Sequence, residues 1–572
     1  MQLNYTKVIA DPVFGWVRIT DDEAKLIDSS EHIQRLRYVR QLGFTYMVYP
    51  LGTYTRFEHS LGVMQLATLM FNKLFQMDYV RSELKPLMKD LGIDDEGTLL
   101  EHVRLAGLFH DLGHMPFSHV FEGVVGPNVD YLINKCSVND DDRVSGRMLK
   151  LPFKEHEVIT YLLLNNNDEL KGKIRESLGY VDLRIIRLLL HGDIIGRLNT
   201  IEALRDLVSW EDRKYLSEVG EGIKLINFLR MLISSDLDAD RFDYILRDLY
   251  TTGASIGFYI SLSDVERILD NLRVLVNNGN YELAIDEKAR ANVEGFVIAR
   301  YNIYKWVYLH HKVILITTLA KLLMSELLTN MDKLNDELVD YLCTFYKFMI
   351  GRLSGVEVLK ITDPYLMSLL IRNRNFLVGV IRGIENYLDP ILLRNTNYKA
   401  LWKRDSEFLT VIRNSKADLD VINNRFVNLL NTGTERAVVM KLFYSKLTEK
   451  LRNSHSKCGE RIVGEGMVDS RYVILGYRAF GPSINVKLSR GNEVFNLNEI
   501  SPLVKSVESA WMQSPHLFAY VNVNAIRERC SEDSDEFIEY LKGVIISVIK
   551  EVTEELSDLV KSKIESNIIN PL

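Results

Sequence analysis

Proline is rare in this chain, at 12 of 572 residues, about 2% against roughly 5% in average usage. A proline inside a helix removes a backbone donor and clashes with the turn before it. So long a chain with so few breakers is expected to be mainly α. The length is a prior for two to four domains of roughly 100–200 residues each. Apolar residues make up 47% and charged residues 26%, so the chain can bury a large core and is not of disordered composition.

The formal net charge is -7, from 70 basic and 77 acidic residues. A protein that coats nucleic acid shows a strong basic excess, so nucleic acid is not expected as the main partner. The four cysteines, Cys136, Cys343, Cys458 and Cys530, lie far apart with no C-x-x-C pair. That spacing excludes a disulfide framework and the common zinc modules, as expected of a reduced, cytoplasmic protein. No run of 18 apolar residues predicts a membrane span, and residues 1–11 lack the apolar core of a secretory signal.

The β-prone runs around Lys7–Ile9 and Trp16–Ile19 flank Asp11-Pro12 and predict a small hairpin. Helical patterns follow over 30–41, 59–75, 99–111, 154–165, 233–250 and 292–328. Short β-rich runs return at 472–477, 485–488 and 518–523, before a last helical stretch over 534–564. The expected organisation is a helical core over 1–330 with an N-terminal hairpin, a helical extension over 331–465, and a small mixed α/β lobe over 466–572.

Six of the 12 histidines fall between His59 and His156. The sharpest signal is His110-Asp111, at the end of the apolar helical run that holds Leu105, Ala106, Leu108 and Phe109. Imidazole nitrogen and carboxylate oxygen suit a first-row divalent metal, and at a helix end two adjacent side chains can turn toward one ion. Further ligands must come from elsewhere. His59 is one candidate, and an aspartate of Asp236, Asp238 and Asp240 is another. That aspartate run imitates a calcium loop. However, its sixth position is Arg241 rather than glycine, and its twelfth is Arg247 rather than glutamate. A helical reading fits better, with Asp240, Asp243, Tyr244, Arg247 and Asp248 on one polar face.

Together, His59, His110-Asp111 and Asp240 resemble the H…HD…D signature of HD-domain metal-dependent phosphohydrolases. The words Arg56-Phe57-Glu58-His59-Ser60, His110-Asp111-Leu112-Gly113-His114, Pro116-Phe117-Ser118-His119 and Asp240-Arg241-Phe242-Asp243-Tyr244 narrow this. They are similar to the branch that contains the SAM- and HD-domain-containing deoxynucleoside triphosphohydrolase and its microbial relatives. The match runs from about Lys7 to Val313, and no SAM domain is expected before Lys7.

The resemblance implies that His59, His110, Asp111 and Asp240 bind one divalent metal per active site, whether Fe, Mn, Zn or Mg. It implies that His114, His119, His156 and Glu122 are catalytic. Arg56, Arg241, Tyr244, Asp248, Arg300 and Tyr308 would hold phosphates and sugar, and Gln41 and Leu42 would face the base and ribose. Lys7, Val8, Asp28, Gln34 and Arg37 resemble a site for an activating guanine nucleotide, GTP or dGTP. Ala10 and Leu309 depart from the family pattern at a second regulatory site and near the base. The implied activity is hydrolysis of deoxynucleoside triphosphates to deoxynucleoside and inorganic triphosphate by a homo-oligomer, dimer or tetramer. Two alternatives stay open: an HD phosphodiesterase acting on nucleic acid ends or cyclic nucleotides, and a non-catalytic nucleotide-sensing assembly protein.

Overall fold

The computed structural model describes residues 3–569 except 152, 201–207, 254–259, 278, 432, 455, 465, 479–480, 482–484, 492 and 531–533. Of 197–200, 433–435 and 558–569 it describes the backbone alone. The described residues are mainly helical. They include nine short strands: β1 (Lys7–Asp11), β2 (Gly15–Ile19), β3 (Leu272–Asn277), β4 (Asn280–Asp286), β5 (Tyr398–Ala400), β6 (Val473–Tyr477), β7 (Lys487–Arg490), β8 (Glu493–Asn496) and β9 (Leu517–Asn522).

The chain divides into two compact units that are not continuous in sequence. The first comprises Met1–Ile303, Leu328–Arg372 and Pro482–Val507; the second comprises Tyr304–Leu327, Asn373–Gly481 and Glu508–Leu572. These units cut across the three consecutive segments expected from the sequence.

At the heart of the first unit, the helix Arg56–Phe75 packs against Glu96–Phe109 on one side and Ala239–Thr252 on another. The helix Glu96–Phe109 is buried from Leu99 to Phe109, with Glu101, His102 and Arg104 buried among its apolar residues. Each start has a chemical cause. Glu58 accepts from the Thr55 N–H at 3.0 Å, Asp95 accepts from the Thr98 N–H at 2.9 Å, and Asp238 accepts from the Arg241 N–H at 2.7 Å. Each of these bonds satisfies a backbone N–H at a helix start that has no partner within the helix.

β1 and β2 pair antiparallel from Lys7–Ile19 to Asp11–Gly15, so the expected hairpin forms. β3 and β4 form a second hairpin that the sequence reading did not contain, and β7 joins β4 in parallel to give the order β3-β4-β7-β8. In the second unit β9 lies between β5 and β6, antiparallel to both, and is buried along its whole length. The helices Gly433–Arg452 and Ser534–Ile569 pack together in the same unit.

Three expected helices come out shorter or broken. The helix expected from residue 233 starts at Ala239, because Asp238 caps it. Residues 30–41 give a helix only over Glu31–Arg35, followed by a tighter turn over Leu36–Tyr38. Residues 292–328 are split by a π-helical turn at Ile303–Tyr308.

The cysteines require a correction. Cys136 pairs with Cys343 and Cys458 with Cys530, with Cα atoms 5.1 Å and 4.9 Å apart, inside the range a disulfide spans. Sequence separations of 207 and 72 residues hide both pairings from any local motif. Among the described residues no helix is long and apolar enough to cross a membrane.

Candidate metal and histidine site

His59 lies in the first turn of its helix, His110 follows the end of Glu96–Phe109, and Asp240 lies in the first turn of Ala239–Thr252. Packing of these three helices brings these side chains together. His59 Nε2 lies 3.0 Å from Asp240 Oδ1, 3.5 Å from Asp111 Oδ2 and 3.3 Å from His110 Nε2. His110 Nε2 lies 3.3 Å from Asp111 Oδ1 and 3.9 Å from Asp240 Oδ1. Donor atoms bound to one ion at about 2.0–2.2 Å sit at such separations.

The two imidazoles are oriented from behind. His110 Nδ1 is 2.8 Å from the Gly107 carbonyl, which can only accept, so Nδ1 carries the proton and Nε2 offers its lone pair. His59 Nδ1 is 2.7 Å from Asp243 Oδ2, with the same consequence. Burial opposes charge on His59. The hydrogen bonds to Asp240 and Asp243 and the Asp111 charge nevertheless push it up to about 10 when no cation is present. Burial alone would raise Asp111, but the Arg56 guanidinium, 2.5 Å away, holds it well below the usual carboxylate range. Two nitrogens and two carboxylates, with their second nitrogens already committed, fit a divalent first-row ion. His59, His110 and Asp240 form one of two side-chain groups here that could hold a metal.

The second group is His114, His119, Glu122 and His156. His114 touches both, with Nε2 3.1 Å from Asp111 Oδ1 and its ring stacked on His156 at 4.1 Å. Glu122 joins the others: Oε1 is 2.5 Å from His156 Nδ1 and Oε2 is 2.9 Å from His119 Nδ1. Burial lowers His114 well below the ordinary histidine range, and the charges of Arg56 and His156 add to it, so His114 is neutral. Burial would also lower His156, but the Glu122 carboxylate outweighs it and raises the group. Glu122 is held ionised by His119 and His156 against the effect of burial. His119 is the exposed member, its side chain 56% accessible, and its Nε2 is the nitrogen not turned to Glu122.

The loop between the two groups is fixed at many points. Phe117 and Ser118 both have φ near +60°, a conformation that costs about 1–3 kcal/mol at each non-glycine residue. Asp363 accepts the Phe117 N–H at 2.7 Å, and Arg35 donates to the Leu112 carbonyl at 2.7 Å. A Cβ on Gly113 would lie 2.2 Å from the His156 carbonyl, so glycine lets the loop meet the helix Glu155–Asn166. Glu155 accepts the N–H groups of Gly123 and Gly126, both at 2.9 Å, and so clasps the turn after Glu122.

Of the other expected residues, Arg56 is buried, with Nε 3.0 Å from Ser118 Oγ, and its Nη2 has no hydrogen-bond partner among the described residues. Arg241 sits beside Asp240, within reach of the Arg300 charge. Tyr244 lies one turn further along the same helix, and Asp248 accepts from Tyr54 Oη at 2.5 Å. Gln41 and Leu42 are half-buried in the loop before Gly43. Tyr308 belongs to the second unit, where Arg478 lies over its ring at 4.3 Å. Lys7 and Val8 are exposed on β1, and Asp28 is exposed on the helix Asp21–Ser29. Gln34 accepts from Arg37 Nε at 2.9 Å. The sequence reading missed Glu155, and it missed Asp243 as the partner of His59. Only the one-turn spacing of Asp243 from Asp240 hinted at it.

Residues 56–203 match the family described as HD domain, and Asp240 lies beyond the matched stretch. The chain is similar to uncharacterised microbial proteins and to deoxynucleoside triphosphate triphosphohydrolases. An uncharacterised protein of Mycoplasma genitalium is 31% identical over 304 residues, 52% of this chain and 55% of the relative. The deoxynucleoside triphosphate triphosphohydrolase SAMHD1 of Gallus gallus is 29% identical over 310 residues, 53% of this chain and 42% of the relative. The chain thus spans about half the length of these curated relatives. A crystal structure of a phosphohydrolase from Bacteroides thetaiotaomicron shares the fold, with a TM-score of 0.52 at 18% identity over 90% of this chain and 99% of that one.

Proposed function

We propose that the protein is a metal-dependent phosphohydrolase that cleaves deoxynucleoside triphosphates to deoxynucleoside and inorganic triphosphate. The observation that carries this reading is the adjacency of two constellations linked by His114: His59, His110 and Asp240 with Asp111 beside them, and a histidine cluster tied together by Glu122. A binding module would need the first but not the second. His59, His110, Asp111 and Asp240 would hold a divalent ion, which would supply Lewis acidity toward a phosphoryl oxygen and lower the pKa of a water.

The chain's own residues do the rest. Arg56, with Nη2 uncommitted, meets phosphate oxygen with a charge-assisted donor. Arg241 and Arg300 supply further positive charge in an otherwise acidic protein. Water attacks the α-phosphorus, the bond to O5′ breaks, and the proton that the water sheds passes to solvent. O5′ takes a proton from Nε2 of His119, which is protonated at both nitrogens for this step although burial lowers it, and whose ring is held through Nδ1 by Glu122. Tyr244 and Asp248 face the sugar, and Gln41 and Leu42 face the base. Lys7, Val8, Asp28, Gln34 and Arg37 form the site of an activating guanine nucleotide, in a homo-oligomer.

The similarity to the deoxynucleoside triphosphate triphosphohydrolases of Gallus gallus and Homo sapiens supports the substrate class. The test is turnover of each dNTP and rNTP by pure protein with Mn²⁺ or Mg²⁺, with and without GTP. Selective loss of dNTPs is expected. Equal turnover of ribonucleotides, or cleavage only of oligonucleotides or cyclic nucleotides, would overturn the substrate assignment.

A further inference from the structure

A buried line of charges runs from the candidate metal ligand His59 to the N-terminal hairpin. His59 Nδ1 is 2.7 Å from Asp243 Oδ2. Asp243 also accepts from Arg247 Nε, at 2.8 and 3.0 Å. Arg247 Nη2 lies 2.8 Å from Asp11 Oδ2, on the last residue of β1. The other Asp11 oxygen accepts the N–H groups of Val13 and Phe14, at 2.8 and 3.0 Å, and so closes the turn into β2. All four side chains are at most 4% exposed.

Residue 62 has been cleared for this line. A Cβ on Gly62 would lie 1.7 Å from Asp243 Oδ1 and 2.6 Å from Arg247 Nη2. A charge buried without a partner is strongly destabilising, so each member of the line depends on the next. Asp243 is divided between His59 and Arg247. If Arg247 loses Asp11, its second charge contact goes, and the carboxylate that fixes the His59 ring is no longer held in one orientation.

We propose that Arg247 and Asp11 are positioning residues for the metal site, and that the N-terminal hairpin thereby sets its affinity. The inference rests on the reading of His59 as a metal ligand. It adds a segment about 50 residues before that ligand to the ion's support. Partners behind a ligating histidine are worth about 10–100-fold in metal affinity.

The test is metal affinity of the full chain, with Mn²⁺ and Zn²⁺ as probes in competition with a chromophoric chelator. The proteins are wild type, Asp11→Asn, Arg247→Ala and Arg247→Lys. Far-UV circular dichroism and thermal unfolding without metal report folding. Asp11→Asn, which keeps shape and an acceptor, is expected to bind about tenfold or more weakly. Arg247→Ala should fall further, and Arg247→Lys should recover part of the loss. Should Arg247→Ala not fold, Asp11→Asn and Arg247→Lys decide the matter. A folded Asp11→Asn with affinity within twofold of wild type would overturn the proposal. Absence of binding to the wild type would overturn the metal-site reading, and this inference with it.

Discussion

Glu122 touches two imidazoles at once; its carboxylate raises His156 against the effect of burial and orients His119. Glu122→Gln is therefore expected to lower kcat by about 10²–10⁴-fold, the size of a lost acid–base group, while metal content is unchanged. Steady-state kinetics beside metal analysis of the same sample check this. Glu101 gives a second prediction. It is fully buried next to Glu23 and Arg104, and burial and the Glu23 charge push it up to about 9. Its carboxyl is neutral in the folded chain at pH 7 but ionised in the unfolded chain above about 4.3. A raised folded-state value contributes stability that is fully present below the unfolded value and lost as pH rises toward about 9. Glu101→Gln should thus flatten the fall in stability between pH 5 and 9 and be more stable than wild type at pH 8 by ~1–3 kcal/mol. Denaturant titrations across that range would contradict it if the two proteins fell in parallel. What could be read at this scale was uneven. His110-Asp111 was legible because adjacent unlike ligands at the end of an apolar helix have little structural use. Asp243 was not, because an aspartate one turn from Asp240 also fits a solvated polar face.

Three helices capped at Thr55, Asp95 and Asp238 make the site, the first of them passing over a buried ion pair at Gly62; their periodic stretches were legible, but their starts, read at 59, 99 and 233, were displaced because the caps and not the apolar pattern set them. Gly62→Ala would force the Asp243–Arg247 pair apart and should destabilise the fold by at least ~2 kcal/mol, in the range of overpacking plus a broken buried pair. An unchanged unfolding midpoint would contradict that geometry. The β1–β2 hairpin was legible from Asp11-Pro12 between two β-prone runs. The turn at Gly279, with φ +75°, marks the β3–β4 hairpin just as locally. The joining of β7 to β4 is different, since its partner lies some 200 residues away and no local pattern encodes it.

Over the whole molecule, the chain leaves its first unit and returns to it twice, which consecutive segmentation cannot express. Each unit closes one disulfide, Cys136–Cys343 in the first and Cys458–Cys530 in the second. Mass spectrometry of the unreduced protein should find both bridges, and reduction should lower stability by ~2–4 kcal/mol per bridge. Four freely titrating thiols in the native protein would contradict the pairing. The acidic balance of the chain and a polyphosphate substrate are compatible, because the positive charge needed is confined to an ion and a few arginines around one site. If the two linked side-chain clusters act as proposed, hydrolysis breaks the bond between the α-phosphorus and O5′. A dNTP hydrolysed in ¹⁸O-labelled water with Mn²⁺, with products resolved by mass spectrometry, should give unlabelled deoxynucleoside and inorganic triphosphate that carries one ¹⁸O. Release of pyrophosphate with a nucleoside monophosphate, label in the nucleoside, or no turnover with any divalent ion would rule this out.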